Sequence, residues 1–359
     1  MKKQFIIMMA SVLMLAGSGQ VMAVTQYTIT DLGTFGGSYT EALGINNSGR
    51  VVGYSYIAGN STQHAFLYEG TTMKDLGTLG GSSSSASGIN NSGQVVGNSQ
   101  ITGNSTQHAF LYEGTAMKDL GTLGGSYSIA NGINDNGQVA GYSNITGDLA
   151  YHAFLYDGTT MKDLGTLGGW SIANGINDSG QVAGVSYLNY TNHAFLYDGT
   201  TMNDLGTLGG SSSSANGIND SGQVVGASAS TGGDTHAFLY DGTAMNDLGT
   251  LGGSLSSALG INDSGQVVGV SRITGDSAAH AFLYNGTTMI DLNTLLPTGS
   301  GWVLKFANGI NDSGQIVGYG SINGSFDERA FLMTPVPEPA CAFMLVMGAV
   351  FIVTKRKWI

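Results

Sequence analysis

The chain is poor in cysteine, proline and basic residues, and each shortage excludes something. Its single cysteine, Cys341, lies in the C-terminal apolar tail. No intramolecular disulfide and no cysteine-based metal site can form, so the fold is held by its core alone. Four prolines stand against 58 glycines, a ratio that suits short strands and tight turns rather than collagen or a Pro-rich linker. Between Val24 and Pro337, seven basic residues face 23 acidic ones, a net charge of −16. Such a surface repels phosphate backbones and excludes nucleic acid as a partner. It would attract divalent cations, or simply keep the protein in solution.

What is present begins with two distinctive ends. Lys2 and Lys3 precede an apolar run from Phe5 to Gly17, and Val21 and Ala23 are small residues at the −3 and −1 positions. Residues 1–23 therefore read as a secretory signal peptide cleaved after Ala23. A lipoprotein signal would need cysteine where Ser18 stands.

Between the ends the chain repeats itself. "DLGT" or "DLNT" begins at Asp31, Asp75, Asp119, Asp163, Asp204, Asp247 and Asp291, a mean spacing of about 43 residues. "GIN" also occurs seven times, from Gly44 to Gly309, and "HAF" six times, with Arg329 in the seventh histidine place. Each unit reads as four strands, a to d. A segment such as "ANGIN" leads through an "NDSG" turn into a valine-rich strand like "QVVGYS". A variable loop then precedes "HAFLY", in which His, Phe and Tyr alternate with Ala and Leu. "DG" or "EG" is a hairpin signal, and "TTMKDLG" returns. No stretch inside the repeats has helical periodicity.

Four strands repeated seven times predict a seven-bladed β-propeller. The seventh unit, "RAFLMTP" at 329–335, has no strand d, whereas "QYTITDLG" at 26–33 is a strand d with no strand c before it. If the two share a blade, the ring closes and two sheet edges disappear. An open solenoid would instead carry polar caps. The expected domains are 1–23, signal peptide; 24–335, one propeller; and 336–359, a sorting or transmembrane segment.

The "HAFLY", "GINDSGQVVG" and "DLGTLGG" elements resemble the HAF-repeat family of probable extracellular bacterial proteins, over roughly residues 27–334. That resemblance implies export and a repeat fold, and assigns no biochemical activity. The C-terminal "VPEPACAFMLVMGAVFIVTKRKWI" resembles a PEP-CTERM sorting segment, with Pro337, Glu338 and Pro339, an apolar helix, and the basic cluster Lys355, Arg356 and Lys357. Cys341 and the trailing "WI" depart from that pattern. The resemblance implies an exosortase-like sorting enzyme as partner, in a Gram-negative bacterium that makes extracellular polysaccharide. The uncharged run Ala340–Thr354 is 15 residues, roughly 22 Å as a helix against about 30 Å of hydrocarbon. It suits a transient membrane hold with the basic cluster left inside, or else a short permanent anchor.

Among candidate chemical sites, the six HAF histidines occupy one position in six blades, so no two would meet, and a structural role is expected. "GTLGG" lacks the Lys-Ser/Thr and the helix of a phosphate-binding loop. The "NDSG" and "TGD" turns offer one carboxylate each, short of a calcium loop, which leaves calcium an open reading. The b–c loops and d–a crossovers vary most and emerge on one face. That face is expected to carry Tyr39, Tyr127 and the candidate ligand residues Tyr56, Tyr151, Tyr187, Tyr190, Trp170 and Trp302, either as sugar-stacking platforms or as packing groups. The leading expectation is a non-catalytic, exported interaction module at the cell envelope or outer surface, with extracellular polysaccharide as ligand. A polysaccharide-acting enzyme with paired carboxylates on the loop face is the alternative, and an ice- or surface-binding solenoid a third reading.

Overall fold

The computed structural model describes residues 26–336. Among these are 28 strands, from β1 (Tyr27–Asp31) to β28 (Arg329–Pro335). The first complete unit is β2 (Gly36–Ile45), β3 (Val51–Ile57), β4 (Gln63–Glu69) and β5 (Thr72–Asp75), an antiparallel sheet in chain order. The pattern recurs along the chain, and two adjacent units are joined into one eight-stranded sheet by a parallel bridge between Thr235 and Leu255. The last sheet is ordered β1, β28, β27 (Ile316–Ile322), β26 (Trp302–Ile310). N-terminal β1 thus fills the place of the missing strand d, in register from Tyr27 opposite Pro335 to Asp31 opposite Phe331.

The strand alternation places two kinds of residue on two faces, and both are buried. The phenylalanine of each HAF element, from Phe66 to Phe331, is fully buried. Phe110 packs with Val52, Ala65 and Leu67 of the unit before it, so each ring seals a joint between neighbouring sheets. Burial of one such side chain contributes about 1.5–3 kcal/mol. The glycine in the middle of each strand b has a steric cause. Strand a bulges after Ala42, and a Cβ on Gly53 would overlap the carbonyl oxygen of Glu41. Glycine permits that approach.

Along the axis, the GIN asparagines form a belt. The Asn46 side-chain amide donates to the Asn90 carbonyl (3.0 Å), Asn90 to Asn134 (3.1 Å), and so on to Asn262 and Asn311 (3.1 Å). Asn311 donates back to Asn46 (3.0 Å). These amides are buried, and each finds its partner one unit ahead.

One detail differs from the sequence reading. The last d–a crossover opens with a 3-10 turn, Leu292–Leu295, that buries Leu292 and Leu295. The tail expected to form a membrane helix lies outside the described residues, among which no helix is long and apolar enough to cross a membrane.

Candidate functional site

In each unit, strand a runs away from the d–a crossover and strand b returns to the b–c loop, so these two connections share one end of every sheet. On that end, five aromatic rings form a continuous row. Tyr127 lies 6.0 Å from Tyr142, Tyr142 5.6 Å from Tyr151, Tyr151 5.2 Å from Trp170, and Trp170 stacks on Tyr187 at 5.9 Å. Tyr127, Tyr142 and Tyr151 sit at the loop ends of three paired strands, and Trp170 comes from the next crossover. Gly169 makes room for this packing, since a Cβ there would stand 2.9 Å from the Tyr187 ring. The rings are half-buried. Burial raises the hydroxyl pKa of Tyr142, helped by the neighbouring Tyr127 hydroxyl, and burial alone raises that of Tyr151.

Tyr190 stands beyond the row, 91% exposed, at the tip of a two-residue hairpin loop. Asn189 and Tyr190 have φ of 49° and 70°, a conformation that bulky side chains seldom adopt and that two-residue hairpins require. Four other large apolar residues are exposed at the same end: Leu149, Leu255, Val303 and Phe326. Both described termini lie at the other end. Pro335 closes a strand c, which runs away from the b–c loop, and the Val336 N–H donates to Gln26 (2.8 Å).

Tyr56 belongs to a separate cluster at the junction of the first and last sheets, with Tyr39, Tyr54 and Tyr319. There the Tyr39 and Tyr54 hydroxyls both donate to Glu41 Oε2 (2.9 and 2.8 Å), and the Asn308 amide donates to Oε1 (3.0 Å). Burial, with the Glu41 carboxylate beside it, raises the Tyr319 pKa to about 12. Trp302 is a correction. It is 8% exposed, stands edge-on to Phe331 at 6.1 Å, and packs with Leu292 and Leu304 in the core of the last joint. It belongs to no ligand face. Pro337, Glu338, Pro339, Lys355, Arg356 and Lys357 lie outside the described residues.

Sequence reasoning missed the partner of the histidines. Each His Nδ1 bonds the aspartate of the following DLG element, as in His64 with Asp75 (2.7 Å) and His236 with Asp247 (2.8 Å). In the seventh place Arg329 pairs with Asp31 (3.5 Å) across the joined termini. The recurrence of Asp at every DLG, eleven residues after each His, was the available signal. These pairs are partly exposed, so His236→Ala is expected to cost about 0.5–1 kcal/mol. A denaturant titration should show a lower midpoint with an unchanged slope; loss of a binding activity at unchanged stability would contradict the structural role.

The sequence also concealed a convergence at the axis. Asn47, Asn91 and the aspartates from Asp135 to Asp312 meet in one ring, where each backbone N–H donates to the side chain one unit ahead. Asp135 donates to Asp178 Oδ1 (2.8 Å), and Asp312 returns to Asn47 Oδ1 (3.0 Å). Desolvation, then the charges of Asp220 and Asp312, push the Asp263 carboxyl up, although the Asp220 N–H opposes them. Among the described residues, no three His, Cys, Asp or Glu side chains are grouped so as to hold a metal ion.

The structure described as YCF48 bound to D1 peptide superposes with a TM-score of 0.52 at 12% identity, covering 89% of this chain and 98% of that one. The β-propeller domain of the Trilobed protease from Pyrococcus furiosus, described as having an open velcro topology, gives 0.50 at 10% identity, covering 86% and 95%. The fold is a β-propeller. A profile of a family described as "Protein of unknown function (DUF3466)" matches residues 3–123, about a third of the chain. No curated protein matches.

Proposed function

We propose that this chain is a closed seven-bladed propeller that acts outside the cytoplasm as a non-catalytic interaction module, with extracellular polysaccharide as its ligand. The observation that carries the reading is the row from Tyr127 to Tyr187, contiguous and half-buried on the end opposite the described termini. Rings fixed by their neighbours present stacking area without losing side-chain entropy on binding. The seven-membered asparagine belt and the β1–β28 pairing support the blade count and the closure. Against an enzyme, the HAF histidines of the described units are each committed to an aspartate on the adjacent strand of their own sheet.

The binding reading is tested by screening the purified 24–335 fragment against a glycan array, and then comparing Trp170→Ala with the parent. The variant is expected to lose about tenfold or more in affinity while its melting temperature stays near the parent's. An equal fall in both would make Trp170 a packing group and remove the anchor of the reading.

The HAF-repeat and PEP-CTERM resemblances support delivery to the cell envelope, by the 1–23 signal and by cleavage near Pro339 by an exosortase-like enzyme. A tail held in the inner membrane would present the aromatic end outward, because chain leaves the propeller at the opposite end. Replacing Pro337, Glu338 and Pro339 by alanine should trap full-length protein in the inner membrane. Intact mass spectrometry of surface material ending at Ile359 would instead make the tail an anchor.

A further inference from the structure

We infer that the aromatic row is built for an uncharged glycan and that Asp148 biases it against anionic polymers, an inference that rests on the polysaccharide reading above. The strands and loops that supply the row, residues 124–151 and 164–192, contain no lysine or arginine. The nearest basic residue in sequence, Lys162, is committed elsewhere, its amine donating to the Tyr197 hydroxyl (2.8 Å). Within these stretches Asp135 and Asp178 lie in the axial turns, so the ionised group they place at the loop end is Asp148. Its Oδ1 accepts the Ser126 N–H (2.7 Å) and the Asn144 side-chain amide (3.0 Å). Ser126 precedes Tyr127, and Asn144 lies directly across from Tyr151 in the sheet, so the carboxylate is held beside the strands that carry these two rings. Those bonds hold its pKa below the usual range.

The turn does not need this charge. At the same place in the first two complete units, Asn60 Oδ1 accepts the Ser38 N–H and Asn104 Oδ1 accepts the Ser82 N–H, each at 2.8 Å. Asn60, Asn104 and Asp148 share the left-handed conformation, with φ of 56°, 54° and 52°. Asp276 fills the same place in a later unit, accepting the Ser254 N–H at 2.8 Å, so amide and carboxylate both serve the turn and the negative charge at 148 is not required by it. Beside a cation-free row, it repels uronate, sulfate or phosphate groups and leaves neutral sugars unaffected. The other potential occupant of such a surface, an acidic peptide, is disfavoured on the same ground.

The test is affinity electrophoresis of the 24–335 fragment through gels containing neutral or anionic polysaccharides from a panel of each, at low and high salt. The parent should be retarded by a neutral polymer, with little salt dependence, and not by anionic ones. Asp148→Asn keeps the turn and Asp148→Lys reverses the charge; the ratio of anionic to neutral affinity should rise in that order, by about tenfold for the lysine variant at low salt, and fall back at high salt. A parent that binds an anionic polymer more tightly than any neutral one, through a Trp170-dependent contact, would overturn this inference and leave the polysaccharide reading intact. An unchanged ratio in both Asp148 variants would overturn the role of Asp148. A parent that binds no polymer of either class would overturn the polysaccharide reading itself, and this inference with it.

Discussion

Deletion of Val24–Gly33 is expected to turn a cooperatively melting ring into a protein that aggregates or melts broadly at lower temperature. The segment removes β1, whose five residues pair with β28, together with the Leu32 N–H bond to the Ala330 carbonyl (3.1 Å). It also removes the Asp31 partner of Arg329. Tyr27 and Leu32, 3% and 4% exposed, leave the core. Phe331 and Met333, now fully buried, would then sit on an open sheet edge beside apolar neighbours. An unpaired edge of that kind templates association with another chain. Because each sheet packs on the next around the axis, the defect weakens a joint of the whole ring. Thermal melting and size-exclusion chromatography check this; a deletion variant that melts like the parent and stays monodisperse would mean that β1 is dispensable.

The second large effect is at Trp302. Replacing it with alanine is expected to destabilise the protein by about 3–5 kcal/mol, since a buried indole leaves both lost burial and a cavity. Its neighbours Phe331, Leu292 and Leu304 belong to strands and a turn that fix the last joint, so collapse into the space is limited. Ligand binding by the folded fraction should remain at the parent level. Trp170→Ala should show the reverse pattern, with binding lost and stability kept. If Trp302→Ala melts with the parent, the indole is not part of the core.

These two tryptophans mark the limit of what the sequence made legible. Periodicity gave the four strands per unit, and the two orphan half-units anticipated the β1–β28 pairing. Both are local or counting signals. Trp302 was expected on the variable face because it lies at the end of the last d–a crossover. Instead that crossover turns inward at Leu292–Leu295, and Trp302 opens strand a of the last sheet. The His–Asp pairs were hidden because the c–d hairpin brings together residues eleven apart, a spacing with no fixed meaning until the register is known. The aspartates from Asp135 to Asp312 are each alone in sequence, and only the curvature of the ring gathers them. Tyr142 was passed over as an ordinary strand residue, yet it is the link between Tyr127 and Tyr151. Position along the strand, which decides whether a side chain meets solvent at the loop end, depends on the exact register and bulges.

The claim that the b–c loop end is the binding end is tested most directly by hydrogen exchange of the 24–335 fragment with and without a saturating glycan from the array. Amides around Tyr142–Tyr151, Leu167–Trp170 and Tyr187–Asn192 should gain protection, while those of the axial turns such as Asp178–Gln181 and Asp220–Gln223 stay unchanged. Protection confined to the axial turns would move the site to the opposite end and contradict the account.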